Sequence, residues 1–239
     1  MMRKQGIDEL LDDVKETISI IDREYERTNE DLSVKELLKI KIKHALEDMR
    51  SCLDYIANDI YNELIYVDGT KKIAIHFPYG KDENSYKSMT GRYFKGLESK
   101  NEKLYDAIIS IQPFRCGSMW LYNLCKMTNT NKHEDLIGQK RITKAKLNIA
   151  GMGIAMFENF SGNENITFSG CNFNGIEQED DIFIKNGKIN AGNNEDIVDF
   201  KLNTEFYFEN TDINCIKLVK DSYLGISKLV DEVYKILND

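Results

Sequence analysis

One long helix with a continuous apolar face most constrains how this chain can fold. Between Ser33 and Ile65, apolar residues recur at steps of three and four, at Leu38, Ile42, Ala45, Met49, Cys52, Ile56, Ile60 and Leu64. A helix turns about 100° per residue, so these side chains form one stripe that a neighbouring element must cover. Ser33 and Glu36 are predicted to form a capping box at the start of this helix. We therefore predict a helical core built around this segment.

Other segments carry the same periodicity. A first helix over residues 7–27, joined to the long helix by a short polar turn, should pack antiparallel to it. Shorter helices are predicted over residues 85–95 and 118–127, and between a capping Ser99 and a closing Pro113. The end of the chain carries a last apolar stripe, which predicts a C-terminal helix, at Val219, Tyr223, Ile226, Val230, Val233 and Leu237.

Beyond His133 the pattern changes from helical spacing to alternation. Asn186-Gly187 predicts a hairpin turn. A half-buried antiparallel strand is predicted from apolar residues at every second position, apart from Thr204, at Val198, Phe200, Leu202, Phe206 and Phe208. The predicted fold class is α+β, an antiparallel helical bundle with a β-rich antiparallel sheet inserted before the C-terminal helix.

We expect residues 1–239 to form a single α+β domain. Its helical part would cover residues 1–140 and its β-rich part residues 141–210. The C-terminal helix, over residues 211–239, would pack back on the helical part, because each apolar stripe needs a partner.

Composition restricts the function classes. The net charge of −8 argues against obligate, nonspecific duplex binding, although it is compatible with a local basic patch. No apolar run approaches the roughly 20 residues that span a bilayer, so no membrane partner is expected. The chain starts with an acidic, amphipathic segment rather than a signal peptide, and it has an odd count of five cysteines. These features predict a cytoplasmic protein with reduced thiols.

Motifs for metals and cofactors are not evident in the sequence. Cys116 and Cys125 lack close metal-ligand spacing, and the three histidines are scattered. Gly151-Met-Gly153 lacks the third glycine and the βαβ context of a dinucleotide site. We therefore predict neither a metal nor a cofactor.

Arg50 and Asp54 are the first candidates for chemistry. They lie at positions i and i+4 of the long helix, roughly 90–130° from the centre of its stripe. At that border an arginine can lay its stem on the core and keep its charge at the rim. Two interpretations stay open: a border salt bridge worth about 0.3–0.5 kcal/mol, or an arginine held by a carboxylate and directed at a phosphate or partner.

His133 is the second candidate. It follows the last helix of the helical part, and the neighbouring Lys132 favours its neutral form, which a general base requires. A basic run comes next, at Lys140, Arg141, Lys144 and Lys146. The segment is either an exposed connector with solvated charges or a contact for RNA or a nucleotide phosphate.

Six segments in a fixed order resemble a widespread, largely uncharacterised bacterial family. Members of that family read approximately ALHNLRSALDHLAWQL, FPI, KGL, ALIESLQPY and LWLLHELNNIDKHR, followed by a β-rich part and a final helix. The matching segments here are ALEDMRSCLDYIA (45–57), HFPYG (76–80), KGL (95–97), IISIQPF (108–114), MWLYNL (119–124) and NTNKH (129–133).

The RSALDH core of that family resembles the arginine–x4–6–histidine signature of HEPN domains. These helical bundles often act as metal-independent ribonucleases in toxin and phage-defence systems, usually as dimers. Arg50 takes the arginine position, but Tyr55 stands at the histidine position, and a tyrosine is a poor base at pH 7. In the second motif Asn131 and Glu134 depart from the family, whereas Lys132 and His133 match it.

Two functions follow. The resemblance implies a homodimeric, metal-independent endoribonuclease of defence or stress responses, or a weakened descendant of one. Arg50 would stabilise the phosphate, Asp54 would hold Arg50, and His133 would act as acid or base, with Lys132, Lys140 and Arg141 binding the substrate. The alternative is a non-catalytic protein-interaction module in which Arg50 and Asp54 form a structural pair. Tyr55 and the net acidity favour the module; the retained motif residues favour the enzyme.

Overall fold

The computed structural model contains helices and antiparallel strands, as the predicted α+β class requires. It describes residues 3–28, 34, 36–67, 73–133, 137–149, 153–160, 164–170, 172–173, 176–177, 180–185, 187–192 and 198–239, and the side chains of all of these except 130–133, 172–173 and 176–177. None of the helices in this part of the chain is both long and apolar enough to cross a bilayer.

The described helices are α1 (Lys4–Thr28), α2 (Lys39–Ile60) with a π-helical turn after it (Tyr61–Ile65), α3 (Glu83–Tyr93), α4 (Leu97–Lys100), α5 (Glu102–Ser110), α6 (Pro113–Cys116), α7 (Trp120–His133) and α8 (Cys215–Asn238). The described strands lie between α7 and α8, and are β1 (Gln139–Ile149), β2 (Gly153–Phe157), β3 (Asn165–Phe168), β4 (Asn172–Phe173), β5 (Ile176–Glu177), β6 (Ile182–Lys185), β7 (Lys188–Asn190) and β8 (Val198–Phe208).

The chain divides into two compact units. The helical unit comprises Met1–Ile21, Leu38–Ile137 and Cys215–Asp239, and the sheet unit comprises Asp22–Leu37 and Gly138–Asn214. That the whole chain forms one domain stays a prediction.

Helix α2 is at the centre of the helical unit. It packs against α7 and α8, and α8 also contacts α5. The predicted stripe is buried along most of its length, but so are Leu46, Leu53 and Ala57 outside it. The buried arc of α2 is wider than the sequence predicted because two helices cover it.

Several helix ends differ from the predictions. Helix α2 begins at Lys39 rather than Ser33, because Leu38 adopts the left-handed conformation, with φ 43°. The predicted cap, Ser33, lies outside the described residues. Asn101, not Ser99, caps α5 by accepting a hydrogen bond from the amide of Leu104.

Pro113 and His133 also take different places from those predicted. Pro113 opens α6 instead of closing α5, since proline is well suited to the first turn of a helix. Helix α7 continues six residues beyond Met127, so His133 lies within it and not in a connector. The helix propensity of residues 128–131 (TNTN) is weak, but burial of Met127 and Thr128 stabilises this last part of α7.

The sheet unit contains three antiparallel sheets in the described part of the chain, with strand orders β2-β1-β8, β3-β6-β7 and β4-β5. The alternation predicted for β8 is confirmed, since its even-numbered side chains face inward. The predicted hairpin is confirmed by the pairing of Lys185 with Lys188, with Gly187 at φ 70°. Residues of β1, β6 and two loops form the buried cluster of this unit, namely Ala145, Leu147, Ile149, Phe160, Ile182, Ile184 and Ala191.

Candidate functional site

Arg50 is buried, and the prediction that it lies at the rim of the helix is wrong. Only 6% of the residue is exposed, and Leu46 and Leu53 on the same face of α2 are buried as well. Its Nη1 donates to the Sγ of Cys125 on α7, and its Nη2 lies 3.1 Å from Oδ1 of Asp54. The guanidinium carbon also sits 5.4 Å from the ring centroid of Tyr79.

The surroundings keep this guanidinium charged. Burial by itself lowers the pKa of Arg50, but Cys125, Asp54 and Tyr79 together raise it above its ordinary value. Burial in turn raises the pKa of the Cys125 thiol to about 11, so the thiol is neutral at physiological pH. The buried charge of Arg50 is therefore balanced by Asp54.

Asp54 connects α2 to the extended segment that contains His76 and Phe77. Its Oδ1 accepts a hydrogen bond of 2.9 Å from the amide of Phe77, and its Oδ2 lies 3.4 Å from Nδ1 of His76. Asn58, one turn further along α2, donates to the carbonyl of Ile75 at 3.3 Å. These bonds hold the HFPYG segment against the helix in one register.

His76 is the functional candidate that sequence reasoning missed. Its side chain is 51% exposed, and its ring packs edge-on against Tyr93 at 6.3 Å. If Asp54 accepts the proton of Nδ1, then Nε2 is free to accept a proton, which is the arrangement of a general base. The available signal was that only three histidines occur and that this one begins the HFPYG segment.

Helix α7 meets this cluster through one face. Cys125 contacts Arg50, and Asn129, one turn later, donates to the hydroxyl of Tyr79 at 3.0 Å. Position 133 is one further turn along, about 12 Å from position 125 along the axis. The side chains of Lys132 and His133 lie outside the described residues, so the convergence of His133 with Arg50 stays a prediction. We refer to Arg50, Asp54, His76 and Tyr79 as the Asp54 cluster.

Lys140 and Arg141 belong to β1 in the sheet unit. Arg141 is on the inner face, where it donates to the carbonyls of Val34 at 2.7 Å and Thr28 at 2.6 Å. Lys140 is exposed on the opposite face. Arg141 therefore ties together parts of the sheet unit, and the predicted binding of substrate by these two residues stays a prediction.

Among the described residues, no three histidine, cysteine, aspartate or glutamate side chains are grouped as a metal site.

No family model matches the chain, and neither curated proteins nor solved structures gave a match. The function has to be inferred from the chemistry of the Asp54 cluster.

Proposed function

We propose that this protein is a HEPN-like, metal-independent ribonuclease in which Asp54 and His76 form the basic half of the site. One observation carries the proposal: the Asp54 carboxylate contacts a buried guanidinium on one side and a half-exposed imidazole on the other. A histidine oriented by a carboxylate is the common solution for general-base catalysis near neutral pH.

The proposed reaction is attack of a ribose 2′-hydroxyl on the adjacent phosphorus. Nε2 of His76 takes the hydroxyl proton, the new O–P bond forms and the bond from phosphorus to the 5′ oxygen breaks. The leaving 5′ oxygen takes a proton from an acid, for which His133 is the candidate on α7. The products are a 2′,3′-cyclic phosphate and a 5′-hydroxyl.

The role of Arg50 changes in this proposal. A buried guanidinium whose donors already meet Asp54 and Cys125 is poorly placed to contact a phosphate. We assign Arg50 as a positioning residue that fixes the orientation of the Asp54 carboxylate through the 3.1 Å contact. His76 supplies the imidazole that the HEPN signature has at the position of Tyr55.

The same proposal includes three further points: a HEPN-like helical unit, a homodimeric state and a role in bacterial defence. They are supported by the resemblance of six ordered segments to the bacterial family, and by the position of the Arg50 motif on the central helix α2. A homodimer would bring two copies of the cluster together, and light scattering tests that state directly.

The test is cleavage of a single-stranded RNA oligonucleotide by the full chain in EDTA. We expect His76→Ala to lower the rate by about 100-fold or more, the usual contribution of a general base. His44→Ala is the matched control, since His44 is an exposed histidine on α2. An oligonucleotide with 2′-deoxyribose throughout should resist cleavage. Equal rates for His76→Ala and the unmodified protein would refute the assignment.

A non-catalytic interaction module is the second candidate, and the burial of Arg50 favours it. A buried pair of Arg50 and Asp54 is also what a purely structural contact looks like. If no variant cleaves any RNA while Arg50→Ala lowers the unfolding free energy, the module is the better assignment.

A further inference from the structure

The outer face of the β2-β1-β8 sheet carries a concentration of lysines. On β1 the odd-numbered side chains are buried or half-buried on the inner face, so the even-numbered ones lie outside. Lys140, Lys144 and Lys146 are therefore on one face, and Arg141 is on the other. The structure therefore separates Arg141 from the three lysines with which it forms one basic run in the sequence.

Strand β8 adds a further lysine to this face. In the antiparallel register Lys146 is directly opposite Lys201, and Lys140 is opposite Tyr207. Like charges directly opposite each other destabilise a sheet, so the pairing of Lys146 with Lys201 costs stability. We call Lys140, Lys144, Lys146 and Lys201 the lysine face.

Few acidic groups balance the lysine face. On β2, β1 and β8, this face of the sheet carries four lysines and two carboxylates, those of Asp199 and Glu205. Its net charge is therefore +2, whereas the whole chain has a net charge of −8. Asp199 pairs with Lys201 at 3.1 Å. Within the described residues the lysines of β1 form no ion pair, even though Glu158 lies just beyond the end of β2.

The spacing of these charges suits an extended polyanion. Alternate residues of a strand are about 6.6–6.8 Å apart, so the β1 lysines form a line of roughly 20 Å. The same face offers one aromatic ring, that of the half-buried Tyr207 beside Lys140, whose hydroxyl donates to Glu205 at 3.0 Å. It also offers the exposed side chains of Met156 and Ile154 on the neighbouring β2. Proteins that bind single-stranded nucleic acids combine cations that follow the backbone with aromatic side chains on which bases stack.

We propose that the lysine face binds the backbone of single-stranded RNA. Lysines of β1 and β8 contact phosphates, and Tyr207 stacks on a base. An acidic protein segment would meet the charges but would make no use of the half-buried ring of Tyr207. The inference rests on the proposed function for its choice of RNA, but it concerns binding alone.

The experiment measures binding without cleavage. A fluorescein-labelled, fully 2′-O-methylated 12-mer of uridine is titrated with the full chain, and anisotropy is followed at several salt concentrations. We expect Lys146→Gln with Lys201→Gln to raise Kd about tenfold. Loss of two phosphate contacts should also reduce the slope of log K against log salt by about 1.4.

The matched control is Lys228→Gln with Lys235→Gln, which removes the same charge from two exposed lysines of α8. Its Kd should change less than twofold. Melting curves check the fold, and relief of the Lys146–Lys201 repulsion should leave the midpoint equal or higher. Equal Kd values for the two double variants, or tighter binding of poly-glutamate than of RNA, would overturn the inference.

The two proposals fail separately. If His76→Ala leaves cleavage unchanged but the lysine variant loses binding, only the catalytic assignment is wrong. If His76→Ala abolishes cleavage but the lysine variant binds normally, only the binding surface is wrong.

Discussion

Oδ1 of Asp54 lies 3.1 Å from Nη2 of Arg50, one helical turn away, and the arginine of this pair is almost completely buried. A pair of this kind differs from a surface salt bridge because neither charge is fully solvated if its partner is lost. The pair also orients the carboxylate that meets His76. Stability and the proposed chemistry thus depend on one contact.

Replacing Arg50 should destabilise the protein strongly. Breaking a buried ion pair typically costs about 3–5 kcal/mol. Because the Asp54 side chain is 22% exposed, we expect Arg50→Leu to lower the unfolding free energy by about 3 kcal/mol, the lower end of that range. Urea denaturation measures this value. Arg23→Ala is the control, because its side chain is 64% exposed and should cost less than about 0.5 kcal/mol. A loss below about 1 kcal/mol for Arg50→Leu would mean that the pair behaves like a surface contact.

Tyr234→Phe should weaken the attachment of α8 to α2. The hydroxyl of Tyr234 donates at 2.6 Å to Oδ2 of Asp59, a buried carboxylate that also accepts from the amide of Arg3 at 2.6 Å. A hydrogen bond to a charged group is worth about 1.5–3 kcal/mol. Tyr223→Phe, on the same helix, is the control and should be nearly neutral. Similar unfolding free energies for the two variants would contradict the prediction.

Gly225→Ala should destabilise the helical unit, although alanine is the better helix former. A Cβ at this position would lie within van der Waals overlap of the Trp120 ring, which must then shift, at a cost of about 1–3 kcal/mol. Gly91→Ala within α3 meets no atom within 4 Å and should stabilise by about 0.5–1 kcal/mol. Thermal melts of the two variants should move in opposite directions, and movement in the same direction would argue against this packing.

The buried thiols should resist alkylation at pH 8. Burial raises the pKa of Cys52 and Cys215 to about 12 and that of Cys125 to about 11, so about one in a thousand Cys125 thiols is ionised at that pH. Peptide mapping after brief iodoacetamide treatment should find label on the exposed Cys116 and little on these three. All of them should react in denaturant. Rapid native labelling of Cys125 would show that its contact with Arg50 opens readily.

Local sequence determined the elements whose signals are local. The apolar stripes of α2 and α8, the alternation of β8 and the Asn186-Gly187 hairpin were predicted because side-chain periodicity and turn chemistry act over a few residues. The α+β class followed from the order of these patterns along the chain.

Only the tertiary structure decided which of the candidate residues meet. Arg50 is buried because Cys125 of α7 and the ring of Tyr79 pack against it, which no single stripe reveals. His76 meets Asp54 across 22 residues of sequence, and Lys146 meets Lys201 through the register of two distant strands. Periodicity tells which side of an element is apolar, but the partner of a polar side chain depends on contacts between segments far apart in the chain.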